Sequence, residues 1–426
     1  MRFMRVILFF LLLASWSSVS SASVVRVLRF NGVINPVSAE YIGGGILKIN
    51  SQKSADLIVV MLDTPGGLDT SMRMIVKEIL ASKIPVAVYV APSGSRAASA
   101  GTFIAMSAHI SAMAPGTSQG SAHPVAMGEK MDETMSKKVE NDAAAYIKSI
   151  AVERGRNAEW AENAVRSSVS LGEQDALKNK VIDFVAKDLD DLLKQAHGRK
   201  IKITGGEVTL DTANPSIIYS DMTQRQKALD ALSNPTVAYI LLMLGFYGLF
   251  FELSNPGVIL PGVIGGICLV LGFYAMQSLP VNYAALLLLL LGVILFVAEL
   301  YVPTHGALTV GGVVSLILGG VLLMDSADDF MKVQLAFVIP VAGAMGAVFF
   351  LALGYGFFSK SKRRFTGSEG LIGETGVAVS PLNPTGRVEV EGELWSARTD
   401  GGEIEKGAKV SVVTKDGPVL VVKRAG

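Results

Sequence analysis

Two short stretches of small residues together form the best candidate in this sequence for a site of nucleophilic chemistry. The first is Leu62-Asp-Thr-Pro-Gly-Gly67, and the second is Gly94-Ser-Arg-Ala-Ala-Ser-Ala-Gly101, which contains Ser99. Paired glycines after a buried strand let the backbone turn and leave N–H groups facing a cleft. Ser99 stands at the expected start of a helix, where free N–H groups and the helix dipole stabilise an oxyanion. The pattern fits acyl transfer by Ser99, and it also fits loops that only pack.

A serine nucleophile needs a base, and the sequence leaves three candidates open. His109 begins an apolar strand-like stretch, a position typical of a core or edge histidine. His123 lies in a loop, and Asp63 would supply the matching acid. Lys138 flanks the apolar stripe of a helical pattern, where burial favours the neutral amine that a base requires. The alternative for Lys138 is an ordinary surface ion pair with Asp142, one helical turn further along.

The composition excludes several other classes of function. With 38 Lys and Arg against 37 Asp and Glu, the net charge is +1, which gives no general attraction to nucleic acid. The single cysteine, Cys268, excludes an internal disulfide framework and a cysteine-based zinc site. The four histidines form no HExxH pair. We therefore expect no metal, no cofactor and no nucleic-acid partner.

Residues from Ser23 to about Gln224 have the composition of a soluble α/β domain. Short apolar runs alternate with helical patterns such as Thr70–Ser82, which indicates repeated β-α units around a largely buried sheet. The stretch Ser170–Lys194 starts like a capping box and predicts an amphipathic helix. The predicted strands are Val24–Phe30, Leu57–Leu62, Val86–Val90 and His109–Met113.

The next part of the chain is almost free of charge. Between Thr236 and Met324 the only formally charged residues are Glu252 and Glu299, and Glu299 is expected to snorkel or to cap a helix. Glycine and proline divide the region into runs that are each long enough to cross a hydrocarbon core of about 30 Å. We expect five spanning helices, although the first two, joined by a short loop, also fit a re-entrant hairpin. The five runs are Thr236–Leu253, Gly257–Met276, Tyr283–Val302, Leu308–Met324 and Leu335–Phe358.

Both ends of the chain carry signals that orient it in a membrane. Two arginines, the apolar run Val6–Ala14 and the pair Ser20 and Ala22 form a secretory signal peptide over residues 1–22, or else an uncleaved anchor. Either one places the residues that follow outside the cytoplasm. The basic cluster Lys360–Arg364 marks the cytoplasmic side of the last run. Five crossings are consistent with both signals.

The tail Gly367–Gly426 is polar again, and its short strands, separated by turn residues, predict a small all-β barrel. It contains Trp395 but no run of aromatic residues interleaved with basic ones, so we expect no binding of nucleic acid. The predicted domains are a signal peptide at 1–22, an α/β domain at 23–224, a membrane region at 225–360 and a β-barrel at 365–426.

Taken together, these stretches resemble the long-form NfeD family of membrane-bound serine proteases. The protease domain of that family belongs to the ClpP/SppA/crotonase-like superfamily. The resemblance covers nearly all of the chain after the signal peptide. The motifs that carry it are Leu62–Gly67, Ala97–Thr102, Met113–Ser118, Lys138–Ile147, Leu171–Asp183 and Gly392–Trp395.

The resemblance implies a Ser–Lys dyad, with Ser99 as the nucleophile and Lys138 as the general base. It also implies an oxyanion hole formed by the backbone N–H groups of Gly67 and Ala100. ClpP proteases use a histidine as the base, and His123 falls where that residue would stand. The implied fold is a ClpP/crotonase-like spiral α/β domain, followed by an all-α transmembrane bundle and a small all-β OB-fold barrel.

The resemblance further implies an activity and its partners. The activity is endoproteolysis of hydrophobic segments of membrane proteins, performed by a homo-oligomer together with a stomatin- or prohibitin-like membrane protein. The protein would lie in the cytoplasmic membrane, with an extracytoplasmic protease domain and a cytoplasmic barrel. The alternative is a membrane scaffold that organises such a partner with little or no turnover. Acyl-CoA chemistry, which crotonase-like folds also support, does not fit a domain outside the cytoplasm.

Overall fold

A computed structural model describes residues 23–125, 132–254, 257–277, 279–302, 304–326, 329–360 and 368–425. The predicted signal peptide and most of the basic cluster that follows Lys360 lie outside the described residues. By its contacts the chain divides into two units, the first ending at Phe349 and the second beginning at Phe350.

The first unit begins with an α/β domain, and its first strands and the helix expected near Thr70 are confirmed to within a residue. Its strands are β1 (Val24–Asn31), β2 (Leu57–Asp63), β3 (Val86–Val90), β4 (Arg96–Ala98), β5 (Ile110–Met113), β6 (Ser118–Gly120), β7 (Ser170–Gly172), β8 (Phe184–Val185), β9 (Lys200–Ile203), β10 (Gly206–Thr209) and β11 (Ser216–Tyr219). Its helices are α1 (Pro36–Gln52), α2 (Asp69–Ala81), α3 (Ala100–Ser107), α4 (Glu133–Glu153), α5 (Ala158–Arg166), α6 (Glu173–Lys178), α7 (Leu189–Ala196) and α8 (Gln224–Leu232).

A parallel sheet of six strands, in the order β11-β1-β2-β3-β5-β8, forms the centre of this domain. Its central strands are continuous apolar runs because a parallel sheet is covered on both faces, and every residue of β3 is buried. Successive residues of β2 enter opposite cores. Ile58 and Val60 pack among helices α1 to α5, whereas Leu57 and Val59 pack on the side of α7.

A second, smaller sheet consists of β4, β6 and β7. Strands of three residues are too short to show a period of their own, so the sequence does not predict them. The helix predicted over Ser170–Lys194 is wrong, because β7, α6, β8 and α7 divide this stretch. Leu171 pairs with Gln119 and Phe184 pairs with Ala112, and these distant strand contacts override the local helical pattern.

The histidine just before β5, His109, is a half-buried structural residue. His109 Nδ1 accepts a hydrogen bond of 3.2 Å from the N–H of Val86, and the backbone N–H of His109 donates to the Val86 carbonyl over 2.9 Å. Burial, reinforced by the positive charges of Arg154 and Arg156, lowers the pKa of His109 to about 3. His109 is therefore a structural residue at the edge of the core, within the expectation of a core or edge histidine.

This environment predicts a pH dependence of stability. His109 stays neutral in the folded state, whereas an unfolded chain protonates it below its ordinary pKa of about 6.5. The histidine therefore contributes stability above pH ~6.5, and that contribution falls by up to ~1.4 kcal/mol per pH unit as the pH drops toward 3. Thermal unfolding of the full-length chain in detergent between pH 7 and 4.5 should show a shallower loss for His109→Gln than for the wild type. The exposed His197→Gln is the matched control, and an equal slope in all three proteins would contradict the prediction.

All five predicted apolar runs are helical. The helices are α9 (Pro235–Ser254), α10 (Ile259–Met276), α11 (Tyr283–Tyr301), α12 (Ala307–Leu322) and α13 (Leu335–Lys360). Among the described residues, three apolar segments are long enough to cross a membrane: α9, α10 and the segment Asp329–Leu351, which contains the start of α13. The apolar parts of α11 and α12 are shorter. Five crossings therefore remain a prediction.

Small residues let these helices approach in pairs. A Cβ on Gly248 of α9 would lie 2.7 Å from the Cα of Gly265 in α10, and a Cβ on Gly312 of α12 would lie 3.1 Å from the carbonyl oxygen of Gly292 in α11. Glycines at such crossings bring two helix backbones into direct contact, as is typical of helix pairs in lipid. The glycine content of this region therefore reflects helix packing.

The charged residue Glu299, near the end of α11, caps the next helix. Its carboxylate accepts hydrogen bonds from the N–H groups of Gly306 at 3.0 Å and Thr309 at 2.9 Å, and from the Thr304 hydroxyl at 2.8 Å. Glu299 is only 2% exposed. A carboxylate at a helix N-terminus satisfies free backbone donors and complements the helix dipole, so the capping role expected for this residue is confirmed.

The second unit contains a closed β-barrel. Its strands run in the order β12-β13-β14-β16-β15, and alternate residues such as Val388, Val390 and Leu420 fill the interior. This five-stranded, OB-like barrel confirms the all-β prediction for the tail. The strands are β12 (Thr375–Ala378), β13 (Thr385–Val390), β14 (Glu393–Thr399), β15 (Lys409–Asp416) and β16 (Val419–Arg424).

Candidate active site

The candidate site lies at the carboxyl edge of the parallel sheet. Asp63 ends β2 and Val90 ends β3, and the register aligns these two ends because Leu62 pairs with Val90. Beyond the sheet, the backbones of Thr64 and Ala97 form an isolated bridge, with Ala98 donating to the Thr64 carbonyl over 3.1 Å. Parallel sheets bring the loops after neighbouring strands to one edge, and here the two small-residue stretches meet.

Ser99 occupies a strained turn between β4 and α3. Its backbone has φ 51° and ψ −116°, outside the conformations that side chains normally allow, and it forms the N-cap of α3. The turn is held by its surroundings: Ser99 donates its N–H to the Gly120 carbonyl over 3.0 Å, and the Thr102 hydroxyl lies 2.9 Å from the carbonyl of Ala97. The constraint presents the half-buried Ser99 side chain to a cavity.

Two residues that line the same cavity, Gly67 and Ala100, have backbone N–H groups without an acceptor in the described parts of the chain. Ile34 bonds to the residues on either side of Gly67, its N–H to the Gly66 carbonyl and its carbonyl to the N–H of Leu68, both over 2.8 Å. In a parallel bridge of this kind, the N–H of the central residue points away from its partner strand. In the described parts of the chain, neither the N–H of Gly67 nor that of Ala100 has an acceptor. Both residues line the cavity together with Ser99.

The cavity has a volume of about 450 Å³, and its wall is mostly apolar. Lys138 of α4 lies on this wall, across from the start of α3. No hydrogen bond joins Lys138 to Ser99 in the structure as described. The apolar lining residues include Met72, Phe103, Val125, Met135, Val139 and Ala143.

Lys138 is exposed, so the burial expected of this lysine is wrong. Among the described residues it has no carboxylate partner. Its neighbour Lys137 pairs instead with Glu133 over 2.7 Å. Asp142, the partner expected for Lys138, forms an ion pair with Arg73 of α2. The predicted surface pair of Lys138 with Asp142 is therefore wrong, because the tertiary structure supplies Asp142 with a closer cation.

Arg73 fixes α4 against α2 beside the cavity. Its guanidinium lies 2.9 Å from Asp69, contacts Asp142 and stacks 4.4 Å above the ring of Tyr146. Burial lowers the pKa of Arg73, but the two carboxylates outweigh it and the net shift is upward. The sequence offered no signal for this contact, since residues from separate helices show no common spacing. The network sets the position of the helix that carries Lys138.

The histidine alternative does not assemble in this structure. His123 Nδ1 lies 2.9 Å from the Val165 carbonyl, and the side chain does not line the cavity. Asp63, its expected acid, accepts a hydrogen bond from the N–H of Arg96 over 3.0 Å. Over the described ranges, no three His, Cys, Asp or Glu side chains are grouped so that they could hold a metal ion.

Fold and site together define a class: an α/β domain with a serine-centred cleft at its sheet edge, joined to apolar membrane helices and a small β-barrel. Three family models match the chain. They are the NfeD1b N-terminal domain over residues 25–198, the NfeD integral membrane domain over 236–355, and the NfeD-like C-terminal, partner-binding domain over 368–424. The chain belongs to the NfeD family, and it is a membrane protein.

Two relatives match along most of their length. The membrane-bound protease PH1510 of Pyrococcus horikoshii is 38% identical over 421 residues, which cover 96% of this chain and 95% of the relative. Membrane protein NfeD1b of Bacillus subtilis is 29% identical over 397 residues, which cover 87% of this chain and 86% of the relative.

Solved structures match two parts of the chain. A mutant of the 1510-N membrane-bound stomatin-specific protease, in complex with a substrate peptide, is 38% identical with a TM-score of 0.46. The match covers 50% of this chain and 98% of that one. The C-terminal domain of the stomatin operon partner protein 1510-C from Pyrococcus horikoshii is 50% identical with a TM-score of 0.14. That match covers 14% of this chain and 97% of the solved domain.

The close approach of Gly66 to the serine predicts a specific sensitivity to substitution. A Cβ on Gly66 would lie 2.7 Å from the Cβ of Ser99, at a backbone φ of 125°. Gly94 has a φ of 89° but open space around it, so it tests the backbone penalty alone. Thermal unfolding should place Gly66→Ala about 1–3 kcal/mol below Gly94→Ala in stability, because only the former adds a steric clash. Equal losses in the two variants would show that Gly66 does not constrain the serine turn.

Proposed function

We propose that this protein is a membrane-bound serine endopeptidase that uses Ser99 as the nucleophile and Lys138 as the general base. One observation carries the proposal: the constrained Ser99 shares a cavity with two backbone N–H groups and a lysine, and among the described residues the N–H groups have no acceptor and the lysine has no carboxylate partner. These are the parts that acyl transfer needs, namely a nucleophile, a base and donors for an oxyanion. The relative named as a membrane-bound protease, 38% identical over 96% of the chain, supports the same activity.

The reaction follows from the proposed roles. Neutral Lys138 takes the hydroxyl proton of Ser99 while Oγ attacks the carbonyl carbon of a substrate peptide. The oxyanion accepts hydrogen bonds from the N–H groups of Gly67 and Ala100, and the tetrahedral intermediate then expels the amine, which receives its proton from the Lys138 ammonium. Water, deprotonated by Lys138, hydrolyses the acyl-serine. The exposed Lys138 side chain closes on Ser99 when substrate fills the cavity, since catalytic hydrogen bonds often tighten only in the complex.

Hydrophobic segments of membrane proteins are the proposed substrates. The mostly apolar wall of the cavity favours such segments over polar ones. A solved relative is described as stomatin-specific, which supports a stomatin-like membrane protein as the partner here. The proposal includes an extracytoplasmic protease domain, a cytoplasmic barrel and a homo-oligomeric assembly.

Side-by-side cleavage assays test the catalytic roles. Full-length protein in detergent is incubated with an apolar peptide rich in β-branched residues, and the products are read by mass spectrometry. Lys138→Ala should lower the rate by about 10²–10⁴-fold, the usual contribution of a general base, and Ser99→Ala should reduce it to background.

Two other residues of the protein supply matched controls. Lys137→Ala removes a lysine of the same helix that is paired with Glu133, and His123→Ala removes the alternative base. Both should cleave within about threefold of the wild type, because the exposed Lys137 and the half-buried His123 do not line the cavity. An essential His123 with a dispensable Lys138 would overturn the assigned base, and cleavage that survives Ser99→Ala would overturn the enzyme itself.

The barrel is the proposed partner-binding domain, as the matching family description indicates. Val377 and Leu394 are exposed and both pair with Glu389, so they flank one position on the outer face of three adjacent strands. Leu394→Ser should weaken binding of a stomatin-like protein in liposomes by about tenfold, because exposed apolar residues commonly anchor interfaces. Cleavage of a short peptide should stay unchanged.

The same pair of readouts separates the enzyme from a scaffold. In the enzyme, Ser99→Ala abolishes peptide cleavage and leaves partner binding intact. In the scaffold, partner binding depends on Leu394 while wild type and Ser99→Ala show equal, negligible cleavage.

A further inference from the structure

The cavity that holds Ser99 is not built by the α/β domain alone. Phe330 and Met331 also line it, and they belong to a single 3-10 turn, Asp329–Met331, between α12 and α13. Met331 is 5% exposed, and Phe330 is half-buried. Two apolar side chains from the membrane helices thus reach the candidate active site.

The turn is anchored to the membrane helices. Lys332 Nζ lies 2.8 Å from the Asp329 carboxylate, and the N–H of Lys332 donates to the Asp329 carbonyl over 3.2 Å. Val333 packs into the core of the helical bundle, and the N–H of Gln334 lies 3.3 Å from the Thr236 hydroxyl of α9. The start of α13 and the start of α9 therefore hold the turn at the cavity.

The chemistry of the surrounding wall matches that of the turn. Facing the same space are Phe103 of α3 and Met135 of α4, the latter 47% exposed. Phenylalanine and methionine supply large, adaptable apolar contacts, and methionine fits side chains of varied shape. The cavity keeps a volume of about 450 Å³, so the turn borders the space without filling it.

We propose that Phe330 and Met331 form one wall of the substrate-binding cleft and select an apolar side chain close to the scissile bond. This inference rests on the proposed endopeptidase function and adds a specificity determinant to it. The membrane helices then take part in substrate recognition, so the complete cleft exists only in a chain that carries both regions. A substrate segment bound at the membrane would contact residues from both.

Phe330 is the residue to vary, because it is half-buried and its truncation removes contact area without emptying a core. The assay uses the full-length chain in detergent and two lysine-flanked peptides, one with an uninterrupted apolar centre and one with a single serine in that centre. Phe330→Ala should lower kcat/KM for the apolar peptide about tenfold, mainly through KM, and should barely change it for the serine peptide. Selectivity between the peptides should fall by the same factor.

Phe337→Ala is the matched control, since Phe337 is an exposed phenylalanine at the start of α13 that does not line the cavity. It should keep the wild-type selectivity. Unchanged selectivity in Phe330→Ala overturns the inference, and faster cleavage by this variant would do so as well, because it would identify the turn as an obstruction.

A binding measurement keeps the inference separate from the enzyme hypothesis. In a Ser99→Ala background, the dissociation constant of the apolar peptide is measured with and without Phe330→Ala. The added substitution should weaken binding about tenfold. If binding is unaffected while Ser99 proves essential for cleavage, the inference is wrong and the proposed function stands. If Phe330→Ala weakens peptide binding but cleavage does not need Ser99, the proposed function is wrong, and the assignment of Phe330 and Met331 to the wall of the peptide-binding cleft is supported.

Discussion

The candidate site depends on a close approach of three backbone segments at the edge of the parallel sheet. The Gly66–Gly67 turn lies between the loop that carries Ile34 and the turn that carries Ser99. A Cβ on Gly67 would lie 2.0 Å from the Ile34 carbonyl oxygen, and one on Gly66 would lie 2.7 Å from the Ser99 Cβ. Only glycine fits at both positions. Among the described residues the same approach leaves the N–H of Gly67 without an acceptor, and Gly67 lines the cavity, so close packing also produces the free donor that the proposed oxyanion hole needs.

Electrostatics around the candidate base follow from a second tertiary contact. Asp142 lies one turn from Lys138 on α4, but it is paired with Arg73, which also holds Asp69. The arginine thus pairs with Asp142 and fixes the helix that carries Lys138. A packing contact between α2 and α4 in this way also sets the charge environment of the site.

The apolar helices contribute more than attachment to a membrane. Glycine contacts such as Gly248 against Gly265 pack the helices in pairs, and the Glu299 carboxylate caps α12 from the end of α11. The turn that follows α12 then reaches the cavity of the α/β domain. In a protein assembled from an α/β domain, a membrane bundle and a barrel, the candidate site is the place where the first two meet.

The sequence by itself determined the elements whose reason is local. Strands such as β2 and β3 are apolar throughout because both faces of the sheet are covered, and the five apolar runs become helices because their length and composition leave little alternative. The tail's alternating residues define its barrel, and the small residues around Ser99 mark the turn of the candidate nucleophile. The tertiary structure decided what depends on distant partners. In the folded chain, Ser170–Lys194 forms strands and short helices instead of one helix. Asp142 forms its ion pair with Arg73 and not with Lys138, and Phe330 lines the cavity of the candidate site. Local periodicity records which side of an element is buried, but it does not record which other element covers that side.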